Sequence, residues 1–237
     1  MNWHTRYLQQ AAWTRDLRAY VFEQAGMNSA RRVLEVGCGT GAILREIRCA
    51  VHGLDLEPAS LAECRIHAPG ASLLCGDAHH LPYPDQSFDI VYCHFLLLWV
   101  RDPLQVVREM ARVGRYVLAL AEPDYTLRVD EPSALKPLGE WQTESLRRQG
   151  ADPSFGSMLA ETFFQAGIKL METGPIQGGV VMRSAEEREN EWAVIEFDLA
   201  GIAPEGEIQK MKVLDEDAFK AGRRALHVPT YFAWGKT

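Results

Sequence analysis

The stretch V-L-E-V-G-C-G-T-G-A, Val33 to Ala42, constrains this chain most. An apolar run of strand character ends in three glycines at alternate positions, Gly37, Gly39 and Gly41. Glycine permits positive φ and lets a ligand lie against bare backbone. A strand that ends in such a turn belongs to an open α/β sheet, where ligands sit beyond the carboxyl ends of the strands. The glycines alone leave the ligand open. Read as G-x-G-x-x-A, the same turn fits a variant of the dinucleotide fingerprint.

The flanking sequence keeps the α/β rhythm. Arg32–Val36, Val51–Asp55, Ala71–Cys75, Phe88–Cys93 and Tyr116–Ala121 read as strands, with helices predicted over Gly41–Arg48, Pro58–His67 and Asp102–Arg112. The strands are short, apolar and not strictly alternating, as expected where helices cover both sheet faces. This order implies a parallel sheet. Ahead of it, Leu8, Ala12, Leu17, Tyr20 and Val21 recur at helical spacing within Asn2–Gln24. Behind it, Pro132–Gln149 and Pro153–Ala166 read as helices and Ile168–Thr173 as a sixth strand. Ser184–Ala221 is charged and helical with a break near Gly201–Pro204, and Val228–Trp234 is an aromatic closing strand.

Composition narrows the partners. The 237 residues, 47% of them hydrophobic, suit one sizeable domain. The net charge of −7 disfavours a nucleic-acid partner. Five cysteines without a C-x-x-C pair read as free thiols, with no metal site expected. No apolar run reaches membrane-spanning length and the first ten residues lack a signal-like core, so a soluble, cytoplasmic protein without a membrane partner is expected. Oligomeric state is not legible.

Glu35 separates the candidate ligands. A carboxylate two residues before Gly37 repels a pyrophosphate and attracts a cation. S-adenosylmethionine carries an ammonium and a sulfonium and no phosphate. A Walker A reading fails because no G-K-[ST] follows. Asp55, ending the second strand, can accept from two ribose hydroxyls. Asp77 can accept from an adenine amino group, with the Ala78 N–H donating to the ring.

With these residues in place, the chain resembles the class I S-adenosylmethionine-dependent methyltransferases of the group often called type 11. The matching segments are V-L-E-V-G-C-G-T-G, Asp55, and G-D-A-x-x-L-P-x-x-D-x-S-F-D-x-V, across about residues 30 to 121. The resemblance implies a Rossmann-like, mostly parallel seven-stranded sheet of order 3-2-1-4-5-7-6, with the last strand antiparallel and helices on both faces. It divides a single methyltransferase domain (1–237) into an N-terminal helical lid (1–30), a cofactor-binding core (31–182), a helical insertion (183–227) and a final strand (228–235). It assigns Glu35, Gly37, Cys38, Gly39 and Gly41 to the methionine end of the cofactor, and Asp55 and Leu56 to ribose and adenine. Asp77 and Ala78 take the adenine edge, and Cys93, His94 and Phe95 the backbone passing the sulfonium. S-adenosylhomocysteine is the implied product. The chain departs from relatives at R-V-G-R, Arg112 to Arg115, where they commonly carry R-P-G-G. That shortening puts the boundaries of the preceding helix and of the fifth strand in question.

Methyl transfer is an in-line displacement. Alignment and exclusion of water can supply on the order of 7 kcal/mol, and a general base helps only where the nucleophile must lose a proton. Candidates for that base or for substrate contact follow strands four and five: His94, and Glu122 with Asp124 and Tyr125. Packing is the competing role for His94, and a capped turn for Glu122–Asp124. In the lid, Tyr7 and Trp13 are placed to cover the crevice, and Arg15 is placed to pair with the methionine carboxylate, against a plain surface role. His79-His80, Cys38 as a nucleophile, Phe95–Val100 as a lipid patch and the acidic run Glu186–Glu191 all receive ordinary structural readings. The expected activity is methylation of a small molecule. Its rivals are an NAD(P)-dependent oxidoreductase and a non-catalytic S-adenosylmethionine-binding protein.

Overall fold

The structure, a computed structural model, describes residues 2–176 and 185–237, the side chains of residues 185 and 186 excepted. In chain order its elements are α1 (Trp3–Trp13), α2 (Arg15–Gln24), β1 (Arg32–Val36), β2 (Ala50–Asp55), α3 (Pro58–His67), β3 (Ser72–Cys75), β4 (Phe88–Cys93), α4 (Pro103–Val113) and β5 (Gly114–Pro123). They continue with β6 (Val129–Glu131), α5 (Lys136–Arg148), α6 (Leu159–Gln165), β7 (Lys169–Pro175), α7 (Ala185–Leu199), α8 (Glu205–Lys220), β8 (Ala225–His227) and β9 (Thr230–Lys236). Seven strands form one sheet in the order β3-β2-β1-β4-β5-β9-β7. Counted within that sheet, this is the expected 3-2-1-4-5-7-6, and β9 runs antiparallel to both neighbours.

Alternation across the sheet explains why the strands read as unbroken apolar runs. On β4, Val91 and Cys93 enter one core layer, while Ile90 and Tyr92 enter the other. Both faces are dry, so both sets of side chains are apolar. The first layer packs Val106, Val107 and Met110 of α4 with Leu159 and Phe163 of α6. The second packs Val21 of α2 and Leu61 of α3. Each fully buried large side chain stabilises by about 1.5–3 kcal/mol. The helix α4 starts where the sequence dictates. Asp102 accepts from the Gln105 N–H at 2.9 Å and Pro103 follows it. A third, smaller core of Leu135, Leu138, Trp192, Ile195, Leu199, Ile208 and Ala218 joins α5, α7 and α8 beside the sheet.

Three local features differ from the sequence reading. Gly41–Arg48 does not form a helix. It holds a single 3₁₀ turn, Leu44–Glu46, and Ile47 is already extended (φ −84°, ψ 132°). The chain must reach β2 at Ala50, which leaves room for one turn. The fifth strand starts earlier than expected, at Gly114, directly after α4. A Cβ at Gly114 would lie 2.4 Å from Val91 Cγ2, so glycine is what lets the helix turn straight into the sheet. A two-stranded antiparallel ribbon, β6 with β8, was not anticipated and joins chain segments far apart in sequence. The boundary drawn at 182/183, like Ser184 as a helix start, lies outside the described residues. Among the described residues no helix is long and apolar enough to cross a membrane.

Candidate active site

The site grows from the turn after β1. Gly37, Gly39 and Gly41 have φ of +73°, +50° and +81°, a region that costs side-chain-bearing residues energy. The N–H groups of Gly37 and Cys38 donate to the Leu54 carbonyl at 2.8 and 3.0 Å, which ties the turn to β2. At the end of β2, Asp55 Oδ2 accepts from the Gly39 N–H at 2.7 Å and Oδ1 from the Glu57 N–H at 2.9 Å. A carboxylate oxygen has two lone pairs, so each retains capacity for a further donor.

A cavity of about 440 Å³ opens above this turn, within the roughly 300–1,000 Å³ of small-molecule sites. Two elements cover it. A Cβ at Gly37 would meet Leu96 Cδ1 at 2.7 Å, and one at Gly39 would meet Tyr7 Cε2 at 3.2 Å. Bare glycines are therefore what keep the turn and its cover in close contact. Glu35 lines the floor at only 3% exposure and accepts from the Tyr92 hydroxyl at 3.0 Å. Burial pushes its carboxyl well above the usual range, against the smaller opposing effect of that hydrogen bond. Burial likewise raises the Tyr7 phenol.

His94 also lines the cavity, but its Nε2 is engaged with Thr14 Oγ1 at 2.8 Å. Arg18 donates to the same Oγ1 at 2.9 Å. Burial and the Arg18 charge lower the imidazole to about 3, so the ring is neutral at physiological pH. Glu122 is fully buried and is not among the lining residues. Its Oε1 accepts from the N–H groups of Leu96 (3.1 Å) and Leu97 (3.0 Å), and its Oε2 from that of Leu98 (3.3 Å). Burial raises this carboxyl to about 7, with the amide bonds opposing. In this geometry Glu122 anchors the 3₁₀ turn Leu97–Trp99 rather than presenting a base. Asp124 caps the next turn by accepting from the Thr126 N–H at 3.0 Å. Between His94 and Leu96, Phe95 holds φ +53°, uncommon for an aromatic residue.

The structure gathers Tyr7, Glu35, Gly37, Cys38, Gly39, Asp55 and His94 around one cavity. Gly41 shapes the turn, and a Cβ there would sit 2.7 Å from Cys64 Sγ. Leu56, Asp77, Ala78 and Cys93 are not among the lining residues. Leu56 is exposed at 63%, and Cys93 is fully buried in the sheet core. Asp77 Oδ1 accepts from the His79 N–H at 2.9 Å and contacts its Nδ1 at 2.6 Å. Arg15 corrects the sequence reading. It is exposed, and it lines a separate groove with Phe22, Met27 and Glu46. It opens α2, directly after the break at Thr14.

Arg6, Gln142, Gln149 and Asp198 line the cavity and were not singled out from sequence. Spacing carried a signal. Trp3, Tyr7 and Gln10 share one face of α1, Gln142, Leu146 and Gln149 one face of α5 and its end, and Val194 and Asp198 one face of α7.

Comparison with known proteins agrees with this architecture. A methyltransferase-domain family matches residues 34–116. The chain is similar to a malonyl-[acyl-carrier protein] O-methyltransferase of Halorhodospira halophila, 44% identical over 91 residues, covering 35% of this chain and 31% of that protein. It is similar to a phosphatidylethanolamine N-methyltransferase of Cereibacter sphaeroides, 44% identical over 92 residues, covering 35% and 45%. The matched region thus spans less than half of either relative. Its fold matches that of the [4+2]-cyclase SpnF with a TM-score of 0.60 at 20% identity, over 94% of this chain and 80% of that one. The matched region contains the glycine turn, Asp55 and the G-D-A segment, and the sheet has the order that these motifs imply. The methyltransferase-domain match over residues 34–116, with the relatives that share that segment, supports a class I S-adenosylmethionine-dependent methyltransferase.

Proposed function

We propose that the chain transfers a methyl group from S-adenosylmethionine to a small-molecule acceptor bound in the same cavity. The observation that carries this is the charge of the lining. At the cofactor end Glu35, Asp55 and Glu57 contribute carboxyl groups, and Arg6 is the one Lys or Arg among the described lining residues. Arg6 is itself paired with Glu191. Such a lining favours a cationic ligand and opposes the pyrophosphate of a nicotinamide dinucleotide. The bare glycines, with Leu96 and Tyr7 in contact, fit a donor whose amino-acid end lies against backbone.

When bound, the donor supplies an electrophilic methyl group on a cationic sulfur. The remaining work falls to the chain. Asp55 accepts from the ribose hydroxyls while the Gly39 and Glu57 amides fix its carboxylate. Asp77, just after β3 and outside the cavity lining, would take the adenine edge. Glu35 faces the ammonium end, and Tyr7 closes the turn from above. His94, neutral and held by Thr14, positions rather than abstracts a proton. Leu96, Leu98 and Trp99, on the segment fixed by Glu122, exclude water. Rate enhancement then comes mainly from alignment and desolvation.

A fold of this kind does not by itself settle the chemistry, since SpnF is a cyclase. The test is transfer. The full chain, incubated with methyl-labelled S-adenosylmethionine and a metabolite extract, should label a small molecule, and Asp55→Ala should lose most of that label. Binding of S-adenosylhomocysteine without transfer to any acceptor would support the non-catalytic reading instead.

A further inference from the structure

Building on the methyl-transfer reading, we propose that the acceptor is an amine carried on an apolar body, its nitrogen held by Asp198 where α5 and α7 line the cavity. Asp198 sits in the last turn of α7 and lines the cavity. The Gln142 amide donates to its Oδ2 at 3.0 Å. Among the described residues the carboxylate enters no ion pair. The nearby guanidinium of Arg6 is committed to Glu191, to Gln9 at 3.3 Å and to the face of Trp13 at 4.9 Å. A half-buried carboxylate whose nearby guanidinium is paired with another carboxylate is costly unless a ligand compensates.

The surroundings specify the rest of the ligand. Phe95, Trp99 and Tyr125 line the same cavity, and aromatic faces attract an ammonium. Trp3 and Trp99 are 41% and 44% exposed at the lining, which leaves apolar surface for the body of the acceptor. An acidic acceptor finds no free cation there. A hydroxyl acceptor needs a base, and both histidine and glutamate at the ends of β4 and β5 are bonded elsewhere. An amine needs none in the transfer step: it binds as its ammonium, releases one proton to solvent and is then neutral. Its nitrogen lone pair forms the new N–C bond, and the C–S electron pair leaves with sulfur. The positive charge passes from sulfonium to nitrogen, towards Asp198. The resulting methylammonium then releases its proton to solvent. A carboxylate at the acceptor end therefore favours the charge movement of the reaction.

The test presents the full chain, saturated with S-adenosylmethionine, with three probes sharing one body: phenethylamine, 4-ethylphenol and 3-phenylpropionate. The expected result is methyl transfer to the amine and neither of the others. Asp198→Asn, close in shape and still able to accept from Gln142, should lower kcat/KM for the amine by about tenfold or more with S-adenosylhomocysteine affinity unchanged. Preference for the phenol or the acid, inert amine, or an Asp198→Asn variant with full amine activity would overturn the proposal while the cofactor reading stands. Failure of the wild-type chain to bind S-adenosylhomocysteine would instead overturn the methyl-transfer reading beneath it. The three-probe comparison on the wild-type chain decides even if the variant does not fold.

Discussion

Tyr92 on β4 donates its hydroxyl to Glu35 on β1 at 3.0 Å, the two residues facing each other in the strand register. Both side chains are withdrawn from water, at 0% and 3% exposure. Desolvation holds the Glu35 carboxyl well above its ordinary range. A cation delivered to this floor would reverse that by favouring the carboxylate. Cofactor binding should therefore release a proton, and affinity should rise with pH through the Glu35 titration. Calorimetry with S-adenosylmethionine over a series of pH values, in buffers of different ionisation heat, measures the release directly. Equal heats in all buffers would remove Glu35 from the role. Tyr92→Phe deletes a bond that favours the ionised form, so it should weaken binding at neutral pH and recover on raising the pH.

Asp55→Ala removes the acceptor for both the Gly39 and Glu57 amides as well as the ribose contact. It should weaken S-adenosylhomocysteine binding by about 1–3 kcal/mol and lower thermal stability as well. Asp77→Ala should weaken binding on the same scale, with less effect on stability because its partners, on His79, lie near the surface. Wild-type affinity in either variant would remove that residue from the cofactor contacts.

His94 and Glu122 should give opposite pH signs. The His94 imidazole is lowered to about 3 from an ordinary 6.5. Its contribution to stability is present above pH 6.5 and lost as pH falls towards 3. Glu122 is raised to about 7 from an ordinary 4.5. Its contribution is present below pH 4.5 and lost as pH rises through 7. Melting temperatures of the wild type against His94→Gln should diverge in the wild type's favour as pH rises from 4 to 7, on the scale of these pKa values. Against Glu122→Gln the wild type's relative stability should decline over a similar range. The same slope in both comparisons would contradict the assignment.

Gly156 lies under the end of β5. A Cβ there would sit 2.5 Å from the Glu122 carbonyl oxygen and 2.6 Å from the Pro123 carbonyl carbon. Backbone cannot step aside as a side chain does, so Gly156→Ala should destabilise by about 1–3 kcal/mol. A lower urea midpoint at unchanged slope checks it. An unchanged midpoint would show that β5 yields freely there.

Much of this fold was legible because burial on both sheet faces writes apolar residues at every strand position, as at Ile90, Val91 and Tyr92. The closing strand was legible from its aromatic residues, and Trp234 and Phe232 do enter the core. The β6–β8 ribbon was not. Its strands have three residues each and pair Asp130 with Leu226, a contact no local pattern encodes. The helix read over Gly41–Arg48 failed because spacing describes a face but not the distance the chain must cover to Ala50. Within the site, the glycine turn and Asp55 announced themselves by position. Asp198 and Gln142 did not, since they meet only when α5 and α7 pack, 56 residues apart in sequence. Arg15 misled because position ahead of the first strand does not reveal the break at Thr14.

The most direct measurement is calorimetric titration of the full chain with S-adenosylhomocysteine and, separately, with NADH. The expected result is one saturable site for S-adenosylhomocysteine, weakened in Asp55→Ala, and no response to NADH. Saturable NADH binding with no response to S-adenosylhomocysteine would contradict the assignment of the glycine turn to a methyl donor.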